Sequence, residues 1–236
     1  MPRIFVKGDY HGQFSGLKDF CRKAETTTED ILIVLGDAGI NYTLKENDLW
    51  LKSSLTKRPI TFGFIHGNHE ERPYNVPGYK FIPSPFGAGQ VWFDERFPNQ
   101  FFFDDGEHML GNKTALVLGG AYSVDKQYRL MNGQKWFPSE QLTMDEKWNL
   151  RQTTYNGKYD YVFSHTCPTN YIPRDKFLPM INQEEVDNSM EDFLQTVHDQ
   201  ITYDKWYCGH WHTDRIMDKM RFVYHDYLEV GNDYEE

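Results

Sequence analysis

Three apolar runs, each delivering a glycine and an oxygen-bearing side chain, constrain this chain more than anything else in it. They are Ile4-Phe5-Val6-Lys7-Gly8-Asp9, Ile31-Leu32-Ile33-Val34-Leu35-Gly36-Asp37 and Ile60-Thr61-Phe62-Gly63-Phe64-Ile65 followed by His66-Gly67-Asn68. Short continuous apolar runs of this kind are expected of strands buried on both faces. Between the first two lies a helical pattern (Phe14, Leu17, Phe20, Cys21, Ala24) and then a polar turn over 26–30. Between the second and third lies another, over 46–57, with Leu49, Trp50 and Leu55 expected to face inward and Arg58-Pro59 to stop it. Asp9 and Asp37 are 28 residues apart, and Asp37 and Asn68 are 31 apart, the length of a βαβ unit. Right-handed crossovers make such strands parallel, so their carboxyl ends share one edge of the sheet, where open α/β sheets keep their ligands. Three polar motifs in successive strand-end loops therefore form one site in space.

The rest of the chain reads less sharply. Residues 75–98, rich in Pro, Gly and aromatics, are expected to form a long surface loop with short strands. Residues 100–109 and 113–122 read as a hairpin about Gly111-Asn112. A helix over 139–151 takes Ser139 as its N-cap, and a strand over 159–164 presents His165. An amphipathic helix follows from about 184 to 202 (Val186, Met190, Phe193, Leu194, Val197, Ile201). Trp206-Tyr207-Cys208-Gly209 then delivers His210-Trp211-His212. A last strand is expected over 221–230, and 229–236 as a solvated acidic tail. With no internal repeat and no linker, residues 1–236 read as a single domain.

Composition narrows the function classes. A chain of 236 residues can bury a sizeable core, and its apolar runs are too short to span a bilayer. Three cysteines (Cys21, Cys167, Cys208) without CxxC spacing fit a reducing compartment. With no apolar stretch at the start, the protein is expected to be soluble and cytoplasmic. A formal net charge of -10, from 25 basic and 35 acidic side chains, opposes an extended nucleic-acid surface. Small phosphorylated or nucleotide substrates suit it better, provided that metal ions invert the local field.

Taken alone, Gly8-Asp9-Tyr10-His11 reads as a turn after a strand, although strand geometry lets residues i and i+2 converge on one point. The complete set is stronger: Gly8-Asp9-Tyr10-His11-Gly12, Gly36-Asp37, Gly67-Asn68-His69-Glu70, Ser164-His165 and Gly209-His210-Trp211-His212. This set resembles the calcineurin-like metallophosphoesterase superfamily, with its GDxH, GD, GNH(E/D), lone His and GHxH motifs. The resemblance covers residues from about 3 to 213. It implies a four-layer αββα sandwich, two mixed β-sheets flanked by helices. It also implies two divalent metal ions, for which mixed nitrogen and oxygen donors suit Mn, Fe, Zn, Co or Ni. By the same resemblance Asp9, His11, Asp37 and His212 hold one metal, and Asp37, Asn68, His165 and His210 hold the other, with Asp37 bridging.

The implied reaction is hydrolysis of a phosphomonoester or phosphodiester by attack of a hydroxide shared between the metals. His69 is implied to face the substrate and to stabilise charge or protonate the leaving oxygen. Tyr122 and Arg129 are further candidates for substrate contact, with Lys126 and Arg72 behind them. Serine/threonine phosphatases of the superfamily carry a carboxylate three residues after the second Asp, in GDxxDRG; here Ile40 stands in that place and no Arg follows. That departure counts against a protein phosphatase, and the charge balance counts against a nuclease. A catalytically silent scaffold is the reading outside enzymology, opposed by the fact that every ligand position and His69 are filled.

Overall fold

A computed structural model describes residues 2–232. Strands β1 (Ile4–Lys7), β2 (Ile31–Val34) and β3 (Thr61–Phe64) pair in parallel, with α1 (Leu17–Lys23) and α2 (Glu46–Leu55) as their crossovers. Next in the chain come β4 (Lys80–Pro83), β5 (Gln90–Phe93), β6 (Gln100–Phe103), β7 (Gly106–Leu110), β8 (Lys113–Leu118), α3 (Lys126–Met131) and α4 (Met144–Thr153). The last elements are β9 (Lys158–Ser164), α5 (Ser189–His198), β10 (Thr202–Cys208), β11 (Arg215–Met217), β12 (Met220–Phe222) and β13 (Leu228–Glu229). Two sheets result among the described residues, ordered β13-β1-β2-β3-β6-β5-β4 and β11-β12-β10-β9-β8-β7. Each has a parallel centre and antiparallel edges.

Alternation along the strands builds the layers. Ile4, Val6, Ile31, Ile33, Phe101 and Phe103 of the first sheet pack against Ala115, Val117, Phe163 and Tyr207 of the second. Their neighbours point the other way: Phe5, Leu32, Val34, Phe62 and Phe64 cover Leu17 and Cys21 of α1 and Leu55 of α2. On the far side Leu116, Val162, Trp206 and Cys208 cover Met190, Phe193, Leu194 and Val197 of α5. Strand side chains change face at every residue, so three apolar layers separate four layers of secondary structure, αββα as expected.

Several elements depart from the sequence reading. In α2 the inward stripe is Asp48, Lys52 and Leu55, whereas Leu49 is 39% exposed and Trp50 is 73% exposed. Buried polar partners explain the rotation. Lys52 Nζ donates to Asn41 Oδ1 at 2.6 Å, and the Asp48 carboxylate accepts from the backbone of Thr43 and Leu44. The α4 N-cap is Thr143, in a reciprocal capping box with Glu146, rather than Ser139. Ser139 is occupied elsewhere, its hydroxyl donating to Glu71 and its carbonyl accepting from Arg72. The helix expected over 184–202 is shorter, Ser189–His198, after a 3-10 turn at Gln183–Glu185.

Two expected strands instead cross between the sheets. Residues 100–109 break at Asp104-Asp105, so β6 lies in the first sheet and only β7 pairs with β8 about Gly111-Asn112. Asp105 holds the crossing, taking the buried Arg72 at 2.6 Å and the Gly119 amide, which commits Arg72 to structure. Residues 221–230 likewise divide into β12 of the second sheet and β13 of the first, and Asp214 binds the Tyr224 and His225 amides between them. Residues 233–236 of the expected tail lie outside the described residues.

Leu194→Ala, which opens a void where α5 meets its sheet, is expected to cost about 2–5 kcal/mol in urea unfolding. Trp50→Ala is expected to change stability by less than about 0.5 kcal/mol. A large loss at Trp50 would contradict the outward face assigned to it in α2.

Candidate metal centre

The carboxyl ends of β1, β2 and β3 meet those of β9 and β10 at one edge of the sandwich. Asp9 Oδ2 lies 3.1 Å from His212 Nε2, which is 3.1 Å from His11 Nε2; His11 Nδ1 lies 3.9 Å from Asp37 Oδ2. Deeper in, His165 Nε2 lies 3.6 Å from Asp37 Oδ1 and 2.9 Å from Asn68 Oδ1. Three overlapping sets of donor atoms lie within 4.8 Å of one another: Asp9, His11 and His212; His11, Asp37 and His69; and Asp9, Asp37 and His165. The two carboxylates are each shared between two sets.

Backbone geometry makes this density possible. A Cβ at Gly67 would come within 2.1 Å of Asp37 Oδ1, and one at Gly36 within 2.1 Å of His165 Nδ1. The motif glycines therefore leave room for the donor arriving from the neighbouring strand. His11, Asp37, His210 and His212 all sit at positive φ, between 46° and 65°, a region that costs a side-chain-bearing residue about 1–3 kcal/mol. Half of the eight non-glycine residues at positive φ among the described residues thus fall at this one edge.

Hydrogen bonds commit the donor atoms. His165 Nδ1 lies 2.7 Å from the Leu35 carbonyl, which can only accept, so Nδ1 carries a proton and Nε2 is the ring atom turned toward the site. Asn68 is fixed in the same way. Its Nδ2 donates to Ser123 Oγ at 2.9 Å, and that oxygen also accepts from Arg129 Nη1 at 3.3 Å, while the Ser123 hydroxyl faces the Glu140 carboxylate. Asn68 Oδ1 is left pointing at His165 Nε2. A ring nitrogen and an amide oxygen 2.9 Å apart share either a proton or a cation, and about 3 Å is also the spacing of neighbouring donors around a divalent ion with bonds of about 2.1 Å. The donor set thus fits a metal.

Electrostatics agree. Burial by itself raises the Asp9 carboxyl, but the hydrogen bond from His212 and the surrounding imidazoles outweigh it and hold Asp9 well below the usual range. His210, desolvated and near His165, is pushed down to about 3, the neutral form that a ligand needs. His69 is lowered by burial, opposed by Asp37 and reinforced by Arg129. Its backbone N–H donates to Asp37 Oδ1 at 2.8 Å.

The structure brings together Asp9, His11, Asp37, Asn68, His165 and His212. His210 joins through its backbone N–H, 2.9 Å from Asp9 Oδ1, and through its ring, centred 5.0 Å from that of His165. His69 stands closer to His11 and Asp37 than a purely substrate-facing role suggests. Ile40 is fully buried in the apolar layer beneath, so that position offers His69 no carboxylate. Tyr122 lines the cavity beside the site, together with Trp211. Arg129 is 1% exposed, set behind Ser123 rather than at the cavity wall. Tyr10 is core, hydrogen-bonded to Tyr227.

Sequence reasoning missed Glu70, Ser123 and Glu140. Glu70 is fully buried beneath Asp37, accepts from the Gly67 and Gly39 amides, and is raised to about 8, chiefly by burial and then by Asp37. Only its place in Gly67-Asn68-His69-Glu70 singles it out in the sequence, and nothing in the sequence links Ser123 to Asn68.

Among solved structures, the phosphopantetheinyl hydrolase PptH from Mycobacterium tuberculosis is similar at 14% identity and a TM-score of 0.48, with 100% of this chain and 98% of that chain covered. The protein of unknown function AQ665 from Aquifex aeolicus is similar at 10% identity and a TM-score of 0.40, with 95% and 89% covered. No curated protein sequence matches this chain. Residues 2–214, nearly the whole length and every motif at this edge, match the calcineurin-like phosphoesterases, and the chain therefore belongs to that family as a metal-dependent hydrolase of phosphoric esters.

Proposed function

We propose that the whole chain acts as one domain that hydrolyses a small phosphomonoester or phosphodiester, nucleotide-like esters included, with two divalent ions drawn from Mn, Fe, Zn, Co or Ni. Asp9, His11, Asp37 and His212 are assigned to one ion. Asp37, Asn68, His165 and His210 are assigned to the second. The observation that carries the reading is the convergence of Asp9, His11, Asp37, His165 and His212 donor atoms at one edge, with Asn68 Oδ1 2.9 Å from His165 Nε2.

When bound, the ions supply positive charge for the phosphoryl oxygens and an activated water for in-line attack. The chain's own residues do the rest. Asp37 has one oxygen committed to the His69 amide and the other turned toward His11, so its carboxylate is held in a single orientation. The His165 tautomer is set by Leu35, and the Asn68 amide by Ser123, before any ligand arrives. His69 lines the cavity, where it stabilises the developing charge or protonates the oxygen of the leaving group. Arg129 acts through Ser123, and Tyr122 is left as the substrate contact of the pair. No helix among the described residues is long and apolar enough to cross a membrane. The three buried free cysteines support a cytoplasmic setting.

Asp37→Asn is expected to lower hydrolysis of p-nitrophenyl phosphate or its bis-ester by roughly 10²-fold or more, with the circular-dichroism spectrum unchanged. His69→Asn is expected to lower kcat by roughly 10²–10⁴-fold while metal content, read by mass spectrometry, stays near that of the parent. Equal loss of metal and rate at His69 would make it a ligand instead. Ser123→Ala frees the Asn68 amide to rotate, and metal affinity measured by calorimetry is expected to weaken roughly 10- to 100-fold. Unchanged affinity would refute the orienting role of Ser123.

A further inference from the structure

The metal-ligating edge is one end of a cavity of about 470 Å³ whose other walls are of a different character. Tyr122 and Val124 line one side, and Leu178, Ile181 and Val186 come from the loop between β9 and α5. Trp211, between the two histidines of the last motif, joins that loop to the site, its ring centred 6.1 Å from that of Phe177. Leu178 is 57% exposed and the neighbouring Met180 is 96% exposed. Apolar side chains held in water beside an opening mark a surface that a ligand covers.

The charges along the same walls exclude one class of ligand. Asp125, Asp187 and Glu191 line the cavity against one cation, Lys176. None of the three carboxylates is left seeking a cation. Asp187 accepts from the Ser189 amide and Gln141, Glu191 accepts from Thr166, and Asp125 lies 3.8 Å from Arg129. A second anionic group on the substrate would meet negative field and apolar wall together, with no guanidinium to receive it.

We infer that the substrate is a phosphate ester whose organic side is an uncharged, mainly apolar chain or ring, laid between Trp211 and the loop carrying Leu178, Ile181 and Val186. The inference rests on the phosphoesterase reading of the metal edge and narrows it: esters bearing further phosphates or carboxylates are poor substrates. The phosphoryl group takes the Asp37 and His69 end, and the carbon skeleton runs outward beneath the loop.

The test uses the full chain, metal-loaded. Hydrolysis of p-nitrophenyl phosphate and its bis-ester gauges the phosphoesterase reading by itself. Calorimetric titration with n-alkylphosphonates from ethyl to octyl, which cannot be hydrolysed, is expected to show Kd falling roughly two- to fourfold per methylene until the cavity is filled. A chain of equal length ending in a carboxylate is expected to bind roughly tenfold more weakly or worse. Ile181→Asp and Val186→Asp, both at half-exposed positions, are expected to abolish the chain-length slope, with thermal melts confirming that they fold. A flat dependence on chain length, or tighter binding of the carboxylate-ended chain, overturns the inference while aryl-ester hydrolysis keeps the phosphoesterase reading. A steep slope without hydrolysis of either aryl ester does the reverse.

Discussion

The structure depends on the apolar layer between its two sheets. Ile4, Val6, Ile33 and Phe103 pressed on Val117, Phe163 and Tyr207 hold two parallel-centred sheets face to face. Burial of fully apolar side chains at about 1.5–3 kcal/mol each makes that contact too costly to slide. Everything at the metal edge needs this registration. His165, from the second sheet, anchors on Leu35 of the first, and Asp9, from the first, accepts the backbone of His210 in the second. A shift of one residue between the sheets would separate donors that now lie about 3 Å apart.

The edge itself is a place where the fold gives stability away. It gathers four side-chain-bearing residues at positive φ, two buried carboxylates, a buried Glu70 and several desolvated imidazoles. None of these favours folding on its own. They are tolerated because the three apolar layers over-determine the backbone around them, and His165 and Asn68 are held in addition by Leu35 and Ser123. The surrounding polar chain from Arg129 through Ser123 to Asn68 keeps that arrangement ready before a cation arrives.

Family membership accounts for the chemistry of one end of the cavity and says little about the other. The metal edge is assembled from strand ends, where the sheets dictate position. The apolar wall comes from the long connection between β9 and α5, which carries only short 3-10 turns and is free to differ without disturbing either sheet.

How far the sequence alone reached follows from the range of the interactions involved. The βαβ spacing of Asp9, Asp37 and Asn68 and the Gly that precedes each of them are local or periodic, so parallel strands with one shared polar edge could be read directly, whereas the four-layer sandwich and the ligand set came from the resemblance of the motifs to a known family. Chain crossings between sheets could not, because Asp105 holds the turn after β6 through Arg72 and the Gly119 amide, and Asp214 parts β12 from β13 through amides ten or more residues away. The face of α2 was equally hidden: Leu49 and Trp50 outrank Lys52 in apolarity, yet Asn41 supplies the acceptor that holds the Lys52 ammonium inside. Which Asn68 atom faces His165, and which side chains wall the cavity, were decided only in three dimensions, since Ser123 and Ile181 are brought beside the motifs by packing across the whole chain and by no signal near them in the sequence.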